Sequence, residues 1–246
     1  MSRVLSFSAL QHPELIHPAL WRGSQLARPH GNTLSTGFDA LDKQLPGRGW
    51  PASSLIEFML AQPGVGEMHL LRPVLASLDT QRCIALVRPP YVPYFHCWFN
   101  WHLDAHRLLW ISPQSLGDTL WAAEQVLKHN ACAALLCWAD QVRAPDLRRL
   151  HLVAQKSDTL FILLRTHTAA QQASAAPLRL MLAPISQGLQ VSILKRQGPS
   201  ADKPISLFFY PKVSYPALPA SQPHASLDQS SAAHTSSGRM FSAMGS

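Results

Sequence analysis

The run Cys132-Ala-Ala-Leu-Leu-Cys-Trp138 most restricts the folds open to this chain. It is short for a helix and too apolar for a strand with one wet face. Strands of this kind are covered on both sides, as in parallel sheets packed between helices. Ser54 to Met59, Cys83 to Val87, Arg107 to Ile111 and Thr159 to Leu164 read as further strands. Between them the apolar spacing becomes helical. His69 to Asp79 carries Leu70, Leu71, Val74, Leu75 and Leu78, with Pro73 expected in its first turn. Ser115 to Lys128 carries Leu116, Leu120, Ala123 and Leu127 and stops at Asn130, and Pro145 opens a helix through Lys156. Thr166 to Ala176 reads as a loop, and Leu189 to Leu194 and Ile205 to Tyr210 as later, antiparallel strands. This alternation predicts one α/β domain around a mainly parallel β-sheet flanked by helices.

Composition sets the limits of that domain. Hydrophobic residues make up 47% of the 246 and charged residues 14%, which excludes a chain disordered throughout. Residues 1–33, interrupted by Pro13, Pro18 and Pro29, read as a loosely docked arm with a short helix near Leu15 to Trp21. Residues 34–211 form the α/β domain. Residues 212–246, rich in Ser, Pro, Ala and His, read as a disordered tail. The formal charge of +7 suits contact with a polyanion or an acidic protein surface, and equally a soluble surface without either. No apolar run approaches the ~18 residues of a membrane helix, and Met1-Ser-Arg-Val-Leu5 opens no secretory signal. Cys83, Cys97, Cys132 and Cys137 form no C-x-x-C pair, so reduced, buried thiols in a cytoplasmic protein are expected.

The strand at Ser54 to Met59 feeds Ala61-Gln-Pro-Gly-Val-Gly-Glu-Met68, where an α/β nucleotide-binding protein would carry G-x-x-x-x-G-K-[ST]. Ala61 replaces the first Gly, Gly64 and Gly66 are kept, Glu67 stands in place of the Lys and Met68 in place of the hydroxyl. An anion thus occupies the position of the cation that neutralises phosphate. Two unit charges about 4 Å apart interact by several kcal/mol at an effective dielectric near 20. The sequence predicts a loop that keeps its shape without ATPase chemistry. The Gly64 and Gly66 backbone and the helix start behind it remain as the route for weak nucleotide contact.

Leu34-Ser-Thr-Gly-Phe-Asp-Ala-Leu-Asp42, followed by Gly47-Arg-Gly-Trp-Pro51, resembles the segment before the first core strand of the RecA-like superfamily. With Leu55-Ile-Glu57-Phe and Pro63-Gly-Val-Gly-Glu-Met68, the chain resembles the ImuA family in particular, with SulA cell-division inhibitors as relatives. The resemblance covers about residues 21–211. It implies a RecA-like P-loop-type core with degenerate Walker motifs, in which the Mg²⁺-associated carboxylate of Walker B falls on or near Cys137. The catalytic Glu would fall around Pro89-Pro90, and Asp140 is the nearest stray carboxylate. Phosphoryl transfer depends on positioning and electrostatics, so losing these groups together removes most of the catalytic apparatus. The resemblance therefore implies a non-catalytic adaptor of SOS-induced translesion synthesis, with no cofactor. Its partners would be RecA, an ImuB-type polymerase homologue and an error-prone DNA polymerase. The alternatives are a SulA-like inhibitor that binds FtsZ, and a DNA-stimulated RecA-like ATPase with a remodelled site.

Other clusters stay open in function. Tyr91 to Trp101 is dense in aromatics, and Trp98 and Trp101 read either as core or as contacts for a protein or single-stranded DNA. Arg143, Arg148 and Arg149, with Lys156, read as a basic helix face for DNA or an acidic partner, or as a solvated surface. Lys195, Arg196 and Lys203 lie near loops where RecA relatives touch DNA. His102 and His106 are four apart but lack a third metal ligand.

Overall fold

The structure, a computed structural model, describes residues 32–198 and 203–209. The N-terminal arm with its short helix, and the tail from residue 212, lie outside the described residues. A short antiparallel pair, β1 (Thr33–Leu34) and β2 (Trp50–Pro51), brackets the helix α1 (Asp39–Asp42). The main sheet contains β3 (Leu55–Leu60), β4 (Cys83–Val87), β5 (Leu108–Ile111), β6 (Cys132–Trp138), β7 (Leu160–Thr166), β8 (Leu178–Ile185), β9 (Gly188–Lys195) and β10 (Ile205–Phe208). Its order is β10-β9-β8-β3-β7-β6-β4-β5. From β8 to β5 every pairing is parallel, and β9 and β10 extend one edge antiparallel. The helices are α2 (Glu67–Ser77), α3 (Phe95–Asn100), α4 (Leu116–His129) and α5 (Ala144–Ala154).

Burial explains the apolar runs. All six residues of β3 are buried, because strands lie on both sides and side chains pack on both faces. One face sends Ile56, Phe58 and Leu60 against Leu70, Leu71 and Val74 of α2. The opposite face packs Leu55, Leu135, Phe161 and Leu163 against Leu120 and Ala123 of α4 and Leu147 and Leu150 of α5. Each such Leu or Ile contributes about 1.5–3 kcal/mol relative to an exposed position. Helix α4 is bounded as its sequence predicts: the Ser115 hydroxyl accepts from Asp118 N, and Asn130 closes the helix at φ 49°. The Asn130 side-chain oxygen also accepts from Arg82 Nη2, Ser157 Oγ and Asp158 N, which ties the end of α4 to the loops before β4 and β7.

Three local expectations are corrected. Strand β8 was not predicted, because Arg179 interrupts its apolar run and Pro184 lies near its end. Pro73 sits in the second turn of α2, since the helix begins at Glu67; Gly37 at φ +82° closes on its ring, where a Cβ would lie 2.3 Å from Pro73 Cβ. In the segment before α1, Ser35 Oγ donates to Asp42 Oδ2 and Thr36 N to Asp42 Oδ1. The thiols are not uniformly reduced and buried. Cys83 and Cys132, in register at the starts of β4 and β6 and 4.4 Å apart at Cα, form a disulfide, and Cys97 is exposed. Their separation of 49 residues concealed a pairing that only strand order creates.

Candidate functional site

The carboxyl ends of β3, β4, β6 and β7 open onto one side of the sheet, and the Ala61–Met68 loop leaves β3 there. Gly64 and Gly66 take φ of +87° and +118°, values that L side chains resist. These conformations turn both amides toward the start of α2. What they meet is the chain's own anion: Gly64 N donates to Glu67 Oε1 at 2.7 Å and Gly66 N to Oε2 at 3.1 Å. Glu67 is 3% exposed, as the first residue of α2, where a negative charge is also favoured by the helix dipole. The carboxylate therefore occupies the donors that a phosphate would need. Charge-assisted hydrogen bonds of this kind are worth about 1.5–3 kcal/mol each. Ala61 is exposed and Met68 half-buried, and neither offers a polar side chain to a nucleotide or metal.

The back of the loop is closed by apolar groups. A Cβ on Gly66 would meet Phe209 at 3.0 Å and Leu189 at 3.6 Å. Phe209 stacks on His69 at 5.3 Å between ring centroids, and His69 meets Trp101 edge-on at 5.0 Å. Burial, helped by nearby Arg72 and opposed by Glu67, lowers the His69 pKa and favours its neutral form.

Cys137, where the resemblance implied a metal-associated position, is fully buried between β4 and β7. Desolvation pushes its thiol up from 9.0 to about 12, with Arg88 acting weakly the other way. A pKa raised in the folded state stabilises it fully below the ordinary thiol range. That contribution falls as pH rises from about 9 toward about 12, because only the unfolded chain gives up the proton. Replacing Cys137 with Ala is expected to flatten the alkaline decline of the urea midpoint over this interval; an identical pH profile would count against a buried neutral thiol.

The remaining candidates separate. Trp98 is 4% exposed and belongs to the core, so it offers no surface to a partner, and Trp101 is partly buried against it. Tyr91, Val92, Tyr94 and Phe99 of the same segment are exposed, each at 65% or more. Arg143 pairs with Asp146 at 3.2 Å and Arg149 with Glu124 at 3.3 Å, while Arg148 is exposed on α5 and makes no ion pair among the described residues. Asp140 uses Oδ1 to accept from Thr166 N at 2.6 Å.

A buried charge triad lies beneath the loop. Glu57 on β3 accepts from Arg165 Nη1 of β7 and Arg179 Nε of β8, both at 2.8 Å, and all three residues are buried. Arg165 further donates to Gln172 Oε1 and Val142 O, and Arg179 to Ala169 O and Ala170 O. Sequence reading noticed Glu57 only as part of a resemblance; the signal it carried was a carboxylate inside an otherwise apolar strand.

No protein-family model matches the chain, and no curated protein matches it. Among solved structures it is similar to one described as the crystal structure of SulA from Pseudomonas aeruginosa, with 21% identity and a TM-score of 0.38. That match covers 46% of this chain and 99% of the other. A likeness of this size assigns neither a family nor an activity.

Proposed function

We propose that this chain is a non-catalytic, ImuA-like accessory protein of SOS-induced translesion DNA synthesis, built on a RecA-like scaffold with degenerate Walker motifs. The observation that carries the non-catalytic part is the Glu67 carboxylate seated on Gly64 N and Gly66 N. The adaptor part rests on the resemblance of residues 34–68. The scaffold works by holding partners together: RecA, an ImuB-type polymerase homologue and an error-prone polymerase. The exposed rings of Tyr91, Tyr94 and Phe99, and Arg148 on α5, which makes no ion pair among the described residues, supply contact surface of the right kind, large rigid rings and a guanidinium. Contacts made by separate surfaces add through effective concentration rather than through any single tight site.

A pull-down with purified RecA and the ImuB-type homologue tests the reading. Retention of either, weakened by Tyr94→Ala with Phe99→Ala, is the expected result; no complex with either partner removes it. FtsZ sedimentation on the same preparation separates the SulA-like alternative, because an adaptor leaves polymer yield unchanged at stoichiometric protein.

A further inference from the structure

Helices α4 and α5 pack side by side on one face of the sheet, with Leu120 and Ala123 of the first and Leu147 and Leu150 of the second turned into the core. Between their outer surfaces runs a groove of about 510 Å³. Its apolar residues are Leu127, Pro145, Leu152 and Val153, and its charged ones are Lys128, Arg148, Arg149 and Lys156. Positions 148, 149, 152, 153 and 156 recur at helical spacing, so one stripe along α5 and its exit sets a leucine and a valine between cations. A single exposed leucine on a surface is ordinary. Leu152, however, is 50% exposed inside a groove whose lining holds four cations and no carboxylate.

The carboxylates of the neighbouring elements do not cancel that charge. Glu124, which does not line the groove, pairs with Lys128 at 2.7 Å and Arg149 at 3.3 Å. Asp118 is engaged by Ser115, Asp146 by Arg143, and Asp158 accepts from Asn130 Nδ2. Arg148 and Lys156 are exposed and make no ion pair among the described residues. The complement of such a groove is a ligand with both apolar and anionic groups. This chain does not supply one. Residues 1–31 hold Glu14 against Arg3, Arg22 and Arg28, and residues 210–246 hold Asp228 against Lys212 and Arg239. A second copy brings the same formal charge of +7. A nucleic-acid backbone would meet the cations and leave Leu152 and Val153 uncovered.

We propose that the groove between α4 and α5 docks an acidic amphipathic segment of a partner protein, its apolar side chains on Leu152 and Val153 and its carboxylates on Arg148 and Lys156. A helix with anchors at i, i+3, i+4 and i+7 presents both kinds of group on one face. The inference deepens the adaptor reading and rests on it for the existence of a protein partner. The titration that tests it uses neither RecA nor the polymerase homologue, so the groove can fail while the pull-down succeeds, and the reverse.

The probe is a fluorescently labelled peptide of about four helical turns, with leucines at i, i+3, i+4 and i+7 among glutamates, titrated with the full chain and followed by anisotropy. Saturable binding is the expected result, weakened about tenfold by Arg148→Glu with Lys156→Glu and about tenfold by Leu152→Ser. These side chains are exposed, so the variants keep the fold. Arg72→Glu, on α2 across the sheet, leaves the affinity unchanged. Peptides with glutamine for glutamate, or serine for leucine, bind at least tenfold more weakly. Absence of saturation overturns the proposal, as does binding that both groove variants leave unaffected. Oligothymidylate bound more tightly than the peptide, with no loss in Leu152→Ser, would also overturn it and give this face to nucleic acid.

Discussion

Glu57→Gln is expected to lower stability by about 3–5 kcal/mol, the loss seen when one member of a buried ion pair is removed. The reason lies in what remains. Arg165 and Arg179 are held at 2.8 Å from the two Glu57 oxygens, inside a sheet whose neighbours are Leu55, Leu163 and Phe161. A neutral amide leaves two buried guanidiniums facing each other with no counter-charge. Their remaining acceptors are Gln172 Oε1 and backbone carbonyls of Val142, Ala169 and Ala170, none of them ionised. Urea unfolding reads the effect as a lower midpoint at unchanged m-value. A loss below about 1 kcal/mol would mean that both guanidiniums reach water, against the burial described.

Glu67→Ala is expected to cost about 3 kcal/mol, from two charge-assisted hydrogen bonds and a favourable helix-dipole position. Here the donors stranded are backbone amides that cannot turn away, because Gly64 and Gly66 hold them in left-handed conformations. Glu67→Gln keeps an acceptor but loses the charge, so it falls between the two. Full retention of stability in Glu67→Ala would show that water satisfies the loop as well as the carboxylate does.

These two carboxylates also mark how far the sequence could be read. The strands β3, β6 and β7 were legible because a sheet covered on both faces selects uninterrupted apolar runs, which no wet strand or loop tolerates. Strand β8 was hidden by Arg179, whose charge is admissible only because Glu57, 122 residues earlier, lies beside it in register. No local pattern encodes that. At the loop, the charge reversal at Glu67 was plain from residue identity. That its side chain folds back onto Gly64 and Gly66 depends on two positive φ angles, which glycine permits but does not dictate. The aromatic segment divided for a similar reason. Helical spacing places Trp98 inward and Phe99 outward, and only the packed helix says which face meets the sheet.

The central claim is that this chain carries its own anion in the place where a nucleotide's phosphate would bind. Titration of Mg·ATP against the backbone amide resonances of Gly64 and Gly66 tests it most directly. The account predicts both resonances unmoved at about 1 mM nucleotide, with no phosphate released. Saturable shifts at both glycines, accompanied by steady release of phosphate, would contradict it.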